Sequence, residues 1–157
     1  MASFARITAE PFPQIHNTMS NRILIVDDEP ANILLLEAIL FAVADETLGV
    51  TDSKAVEQAF IDFMPDLVLL DLWMPVPDGF EILRQLQRLR QSQGFIPVIV
   101  LTADHSEAVR TRALDLGADA FLTKPLDQEE VIARVHTLLQ SRHLFLRADR
   151  LERETGN

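Results

Sequence analysis

Five residues in this sequence have types that phosphoryl chemistry uses, and each stands where a short apolar run ends. Asp27 and Asp28 follow Ile23–Val26, Asp71 follows Leu67–Leu70, Thr102 follows Val98–Leu101, and Lys124 comes just after Ala120–Leu122 and before Pro125. Carboxylates crowded together repel and raise one another's pKa. A divalent cation removes that repulsion. Mg²⁺ takes oxygen ligands in an octahedron at about 2.0–2.1 Å and keeps waters, so two carboxylates and one backbone carbonyl suffice. An ammonium and a hydroxyl nearby offer a point charge and a hydrogen-bond donor to phosphoryl oxygens. Together these groups form a carboxylate nucleophile, a cation site and charge stabilisers, the parts that phosphoryl transfer requires. An acyl phosphate on Asp71 would be high in energy and hydrolysable, which suits a transient signal. Each residue alone also has a plainer reading. Asp27–Asp28 could cap the next helix, Lys124 could be a surface ion pair, and Thr102 could close a turn. Their arrival at one edge of one sheet is what argues for chemistry.

The elements that bring them there are legible as a pattern. Ile23–Val26, Leu67–Leu70, Val98–Leu101 and Ala120–Leu122 are apolar without alternation, as strands covered on both faces are. Leu48–Thr51 is a weaker candidate between the first two. Between the strands, apolar residues recur at helical spacing: Ile33 to Val43, Ala55 to Phe63, Phe80 to Leu89, and Val109 to Leu116 with Gly117 as the stop. A fifth helix starts at Asp127, where Glu130 three residues on resembles a capping box. Strand and helix alternate through five units, which predicts an α/β fold with right-handed crossovers. The size fits a flavodoxin-like, doubly wound parallel sheet of order 2-1-3-4-5. Such sheets bind ligands at the carboxyl ends of the strands, where the order reverses between strands 1 and 3.

Composition narrows the setting. The chain has 157 residues, 48% of them hydrophobic, enough for one buried core. It has no cysteine, which excludes disulfides and thiol chemistry and suits a reducing cytoplasm. A formal net charge of −10, from 24 acidic and 14 basic residues, argues against nucleic-acid binding by this segment. No apolar run approaches the roughly 20 residues a membrane span needs. Residues 1–20, with Pro11, Pro13, Asn17 and Ser20, read as a flexible N-terminal leader, and Met19 stands just before the first strand. Residues 21–140 then form the domain and 141–157 a helical extension or linker. His16, His105, His136 and His143 are scattered and form no metal-ligand spacing, and no glycine-rich phosphate loop occurs.

The strand-end stretches together resemble a known family. Ile23 to Pro30 (ILIVDDEP), Pro65 to Pro75 (PDLVLLDLWMP), Asp78 to Glu81 (DGFE), Leu101-Thr102-Ala103, Gly117-Ala118-Asp119 and Lys124-Pro125 are similar to the receiver domains of two-component response regulators, in order and in spacing. The likeness covers about residues 21–140. It implies that Asp71 is the phospho-acceptor, that Asp28 and Asp71 bind Mg²⁺ directly, and that Asp27 acts on the ion through water. It implies further that the Trp73 backbone carbonyl completes the ion's shell, that Thr102 and Lys124 contact the phosphoryl group, and that the Lys124–Pro125 bond is cis. Thr102 and Phe121 match the switch positions; Phe121 has no hydroxyl and would move by packing alone, or else serve as an ordinary core aromatic. Trp73, the single tryptophan, would border the phosphoryl group and slow attack by water, or else be an exposed loop aromatic.

The implied function is phosphotransfer from a sensor histidine kinase or phosphotransfer protein, followed by autodephosphorylation, with no other enzymatic turnover. The signal would leave through helix 4, strand 5 and helix 5, to an output partner or a homodimer formed by that face or by the C-terminal helix. That helix runs on past Leu139 without Gly or Pro before Gly156, and Leu144 and Leu151 stand one heptad apart. It reads either as a solvated tail or as a signalling helix. Two rivals remain. A haloacid-dehalogenase-like Mg²⁺ phosphatase also uses a strand-end Asp, but it resembles Asp-x-Asp, and Trp73 stands at the second position here. A receiver-like interaction module without phosphorylation is the other.

Overall fold

A computed structural model describes residues 20–156, and the expected N-terminal leader, apart from Ser20, lies outside the described residues. Its strands are β1 (Arg22–Val26), β2 (Glu46–Val50), β3 (Leu67–Asp71), β4 (Val98–Thr102) and β5 (Ala120–Thr123). Its helices are α1 (Pro30–Leu40), α2 (Val56–Phe63, entered through a 3₁₀ turn at Ser53–Ala55), α3 (Gly79–Arg90), α4 (Glu107–Asp115) and α5 (Gln128–Thr155). The sheet is parallel throughout, in the order β2-β1-β3-β4-β5. This is the flavodoxin-like fold that the alternation predicted.

Alternate residues of one strand point to opposite faces, so a strand buried on both faces must be apolar at every position. Leu24, Val26, Val68, Leu70, Val98 and Val100 pack under α2, α3 and α4 with Phe60, Leu83 and Leu86. Ile23, Ile25, Leu67, Leu69, Ile99 and Leu101 pack under α1 and α5 with Leu36, Val131 and Val135. The two layers clamp the sheet and leave only its edges for polar groups.

Helix ends follow local chemistry. Asp78 accepts from the Glu81 N–H at 3.0 Å, Ser106 from the Val109 N–H at 3.3 Å, and Asp127 from the Glu129 N–H at 3.0 Å. Each satisfies a donor that the first helical turn leaves unpaired. Gly117 has φ +106°, the left-handed conformation expected of the residue that stops α4. β2 departs from its expected span. Glu46, Thr47, Leu48 and Gly49 are all accessible to some degree in this edge strand, so continuous hydrophobicity does not mark it. α1 stops at Leu40, short of the Val43 that ended the apolar pattern, and Val43 closes a turn onto the Leu40 carbonyl. α5 runs on to Thr155, confirming the extended C-terminal helix.

Candidate functional site

β1, β3, β4 and β5 deliver their last residues to one edge of the sheet. The carboxylates of Asp27, Asp28 and Asp71 converge there, with one oxygen from each lying within 4.8 Å of the others. β1 and β3 are direct neighbours, with Val26 opposite Leu70, so the residues that follow emerge side by side. Asp27 is fully buried and Asp71 is 4% exposed, while Asp28 reaches solvent. Lys124 Nζ lies 3.5 Å from Asp71 Oδ1 and 3.7 Å from Asp27 Oδ2. The Lys124–Pro125 peptide is cis, and so is Val76–Pro77 in the loop after β3, which sequence gave no reason to expect.

The electrostatics are strained by burial. Burial pushes the Asp71 carboxyl above the usual carboxylate range; the Lys124 ammonium pulls it down, the Asp27 charge pushes it up, and the Trp73 N–H at 3.3 Å pulls it down. Burial wins the sum. Asp27 uses one oxygen locally: Oδ1 accepts from the Glu29 N–H at 2.9 Å and from Asn32 Nδ2 at 3.4 Å. Its other oxygen, Oδ2, is buried without a hydrogen-bond partner. A buried carboxylate oxygen left in that state is costly. An oxygen-seeking cation is the kind of group that would relieve it, so the residues present fit a Mg²⁺ site.

Thr102 is 3% exposed, and its Oγ1 accepts from the Asp104 N–H at 3.0 Å, so the turn role and the site position coexist. The hydroxyl proton remains free to donate. Lys124 is held beside it by its own N–H, which donates to the Thr102 carbonyl at 2.9 Å. Trp73 is 51% exposed, with its ring edge-on to Phe80 at 6.3 Å. Phe121 is half-buried, and the Arg110 guanidinium stands 5.0 Å from its ring centroid. Gly79 opens α3 directly against the strand that bears Asp71. A Cβ there would lie 2.4 Å from Leu72 Cα and 2.9 Å from the Asp71 carbonyl oxygen.

The structure thus brings Asp27, Asp28, Asp71 and Lys124 to one point, with Thr102 and Trp73 on the strand and loop beside it. Sequence reasoning missed Asn32, whose amide steadies Asp27 from the first turn of α1. Its position five residues past Asp27, just behind the helix-opening Pro30, was the available signal.

Residues 23–136 match the response regulator receiver domain family, and the chain belongs to that family. It is therefore a signalling domain of the two-component type. The response regulator PleD of Caulobacter vibrioides is 41% identical over 120 residues, covering 76% of this chain and 26% of PleD. The transcriptional regulatory protein TrcR of Mycobacterium tuberculosis is 38% identical over 140 residues, covering 87% of this chain and 53% of TrcR. The chain therefore spans between about a quarter and a half of these relatives' length. Among solved structures, the BeF3-activated receiver domain of Klebsiella pneumoniae RstA superposes with a TM-score of 0.68 at 30% identity, covering 76% of this chain and 98% of that one.

Proposed function

We propose that the chain takes up a phosphoryl group on Asp71 from a phosphohistidine donor, a sensor histidine kinase or phosphotransfer protein, in the cytoplasm. One Asp71 oxygen attacks phosphorus, the O–P bond forms as the N–P bond breaks, and the leaving imidazole takes a proton. Mg²⁺, when bound, neutralises charge on the phosphoryl oxygens. Asp28, Asp71 and the Trp73 carbonyl would hold it, and Asp27 would reach it through water. Lys124 places its ammonium against the oxygens that gain charge, and Thr102 donates its hydroxyl proton to one of them. The carrying observation is the meeting of three carboxylates from β1 and β3 with Lys124 at 3.5 Å from Asp71. Asp27 Oδ2, buried without a hydrogen bond and facing the Lys124 ammonium at 3.7 Å, adds support.

The phosphoryl group adds close to two negative charges. Thr102 and Lys124 are drawn towards it, the loop after β4 follows, and Phe121 repacks, altering the face formed by α4, β5 and α5. A full switch from 1:99 to 99:1 takes about 5.5 kcal/mol of differential binding between the two arrangements. The Arg110 guanidinium, 5.0 Å from the Phe121 ring centroid, is one contact that such repacking would break. With a carboxylate missing at Trp73, the general acid of a dehalogenase-like phosphatase is absent, so turnover of phosphomonoesters is not expected.

Intact-mass measurement after treatment with acetyl phosphate tests the reading. The chain gains one phosphate when Mg²⁺ is present, and gains none with chelator or in Asp71→Asn. Uptake by Asp71→Asn equal to that of the parent would refute the assignment.

A further inference from the structure

Of the five helices, α4 buries the fewest residues. Ala113 alone is enclosed, with Val109 and, at the helix end, Leu116 partly covered. An element with so few buried apolar contacts shifts at low cost. Two arginines add to its seat. Arg110 Cζ stands 5.0 Å from the Phe121 ring centroid on β5, and Arg112 Cζ stands 4.0 Å from the Phe80 ring centroid on α3. Positions two apart are separated by about 200° around a helix, so the two side chains hold opposite flanks of α4. Neither forms an ion pair among the described residues. Their charge is therefore directed to the ring faces, where a guanidinium is attracted by the aromatic quadrupole.

Phe80 has a second neighbour. It is the second residue of α3, is 3% exposed, and meets the Trp73 ring edge-on at 6.3 Å and 83°. Trp73 stands two residues after Asp71, and its N–H donates to Asp71 Oδ1 at 3.3 Å. A line of contacts thus runs from α4 through Arg112, Phe80 and Trp73 to the rim of the acceptor carboxylate. The half-exposed indole leans on Phe80, so the place of that ring decides where the indole stands. The Phe121 contact on the other flank has no such connection to Trp73.

We propose that Arg112 is a positioning residue for Trp73: through Phe80 it holds the indole beside Asp71, so that the seat of α4 sets how long an acyl phosphate there survives. The proposal rests on the reading of Asp71 as the acceptor and adds a control over its lifetime. A shift of α4 carries Arg112 off the Phe80 ring, the indole loses its support, and water approaches phosphorus more readily. In that hydrolysis the water oxygen bonds phosphorus and the bond from phosphorus to the Asp71 oxygen breaks. The products are the Asp71 carboxylate, inorganic phosphate and a proton.

Trp73 is the single tryptophan, so the emission of the full chain reports on it alone. In the metal-free chain, Arg112→Gln shifts that emission to the red and makes acrylamide quench it more readily, with an unchanged circular dichroism spectrum. Arg112→Lys, which keeps a cation, stays close to the parent. Arg110→Gln, on the opposite flank, leaves the emission unchanged. After treatment with acetyl phosphate and Mg²⁺, Arg112→Gln loses its phosphate severalfold faster than the parent, and adding Arg112→Gln to Trp73→Ala changes nothing further. Unchanged quenching in Arg112→Gln, an equal change in Arg110→Gln, an unchanged phosphate lifetime, or an effect that adds to that of Trp73→Ala overturns the proposal. A parent that takes up no phosphate overturns the reading of Asp71 instead, and the quenching comparison still decides whether Arg112 positions the indole.

Discussion

The two edges of this sheet use the same side chain to opposite ends. At the amino ends of the strands, aspartates are satisfied. Asp66 accepts the Arg22 N–H that opens β1 at 2.9 Å and Arg142 Nε at 2.8 Å. Asp119 accepts the Val98 N–H that opens β4 at 2.8 Å and Arg90 Nη1 at 3.1 Å. At the carboxyl ends, Asp27, Asp28 and Asp71 crowd one another, Asp27 and Asp71 share a single lysine, and the buried Asp27 Oδ2 has that ammonium at 3.7 Å but no hydrogen bond. One edge uses its carboxylates to hold the fold, and the other gathers them around one lysine, where on the proposed reading a cation and a phosphoryl group would arrive. Buried polar groups without partners are uncommon in folded proteins, and they gather where function needs them.

Four measurements break or sharpen that contrast. The largest effect is expected at the satisfied edge. Asp66→Ala removes a nearly buried carboxylate that serves both a strand end and an arginine, and lowers unfolding stability by about 3 kcal/mol in urea melts. A loss no larger than that of an exposed aspartate would erase the distinction. Next, Mg²⁺ at about a hundred times its dissociation constant stabilises the parent by about 2.7 kcal/mol, because the ion binds the folded state alone. Asp66→Ala keeps that increment, and Asp28→Asn loses it.

The third effect has the opposite sign to the first. The raised pKa of Asp71 means that its ionised form is disfavoured in the fold. Its ionisation therefore costs stability in full above the folded-state pKa, and the cost shrinks as pH falls from that value to the ordinary carboxylate pKa of the unfolded chain. Metal-free Asp71→Asn is accordingly more stable than the parent at pH 7, and no more stable below the ordinary carboxylate pKa of about 4. An Asp71→Asn variant less stable than the parent at pH 7 would place Asp71 with the structural aspartates. The smallest effect is kinetic. Trp73→Ala shortens the lifetime of the phosphorylated chain severalfold if the half-exposed indole screens the acyl phosphate from water. An unchanged lifetime assigns Trp73 to the loop alone.

The carboxylate cluster and the sheet order were legible in sequence because both depend on short-range patterns. Uninterrupted apolar runs mark strands buried on two faces, and the residue after each run lands at a strand end. Asp127 as a cap and Gly117 as a stop were readable for the same reason. The satisfied edge was not. Asp66 meets Arg142 across 76 positions of sequence, and Asp119 meets Arg90 across 29. Nothing local announces such a pairing, and an aspartate before a strand looks the same whether it is structural or chemical. β2 escaped in part because an edge strand loses the continuous hydrophobicity that marks the others. The resemblance implied different roles for Asp27 and Asp28, but their different burial was equally hidden. Only the fold reveals that Asp27 is enclosed beside Lys124 while Asp28 faces solvent.

Gly79 ties the cluster to the backbone of the helix beside it. Its N–H donates to the Leu72 carbonyl at 3.0 Å, and no room exists for a methyl group between helix and strand. Any other residue at this position must push α3 away from the Asp71–Leu72 backbone. Gly79→Ala would therefore disturb the carboxylate cluster through the backbone, without altering any of its side chains.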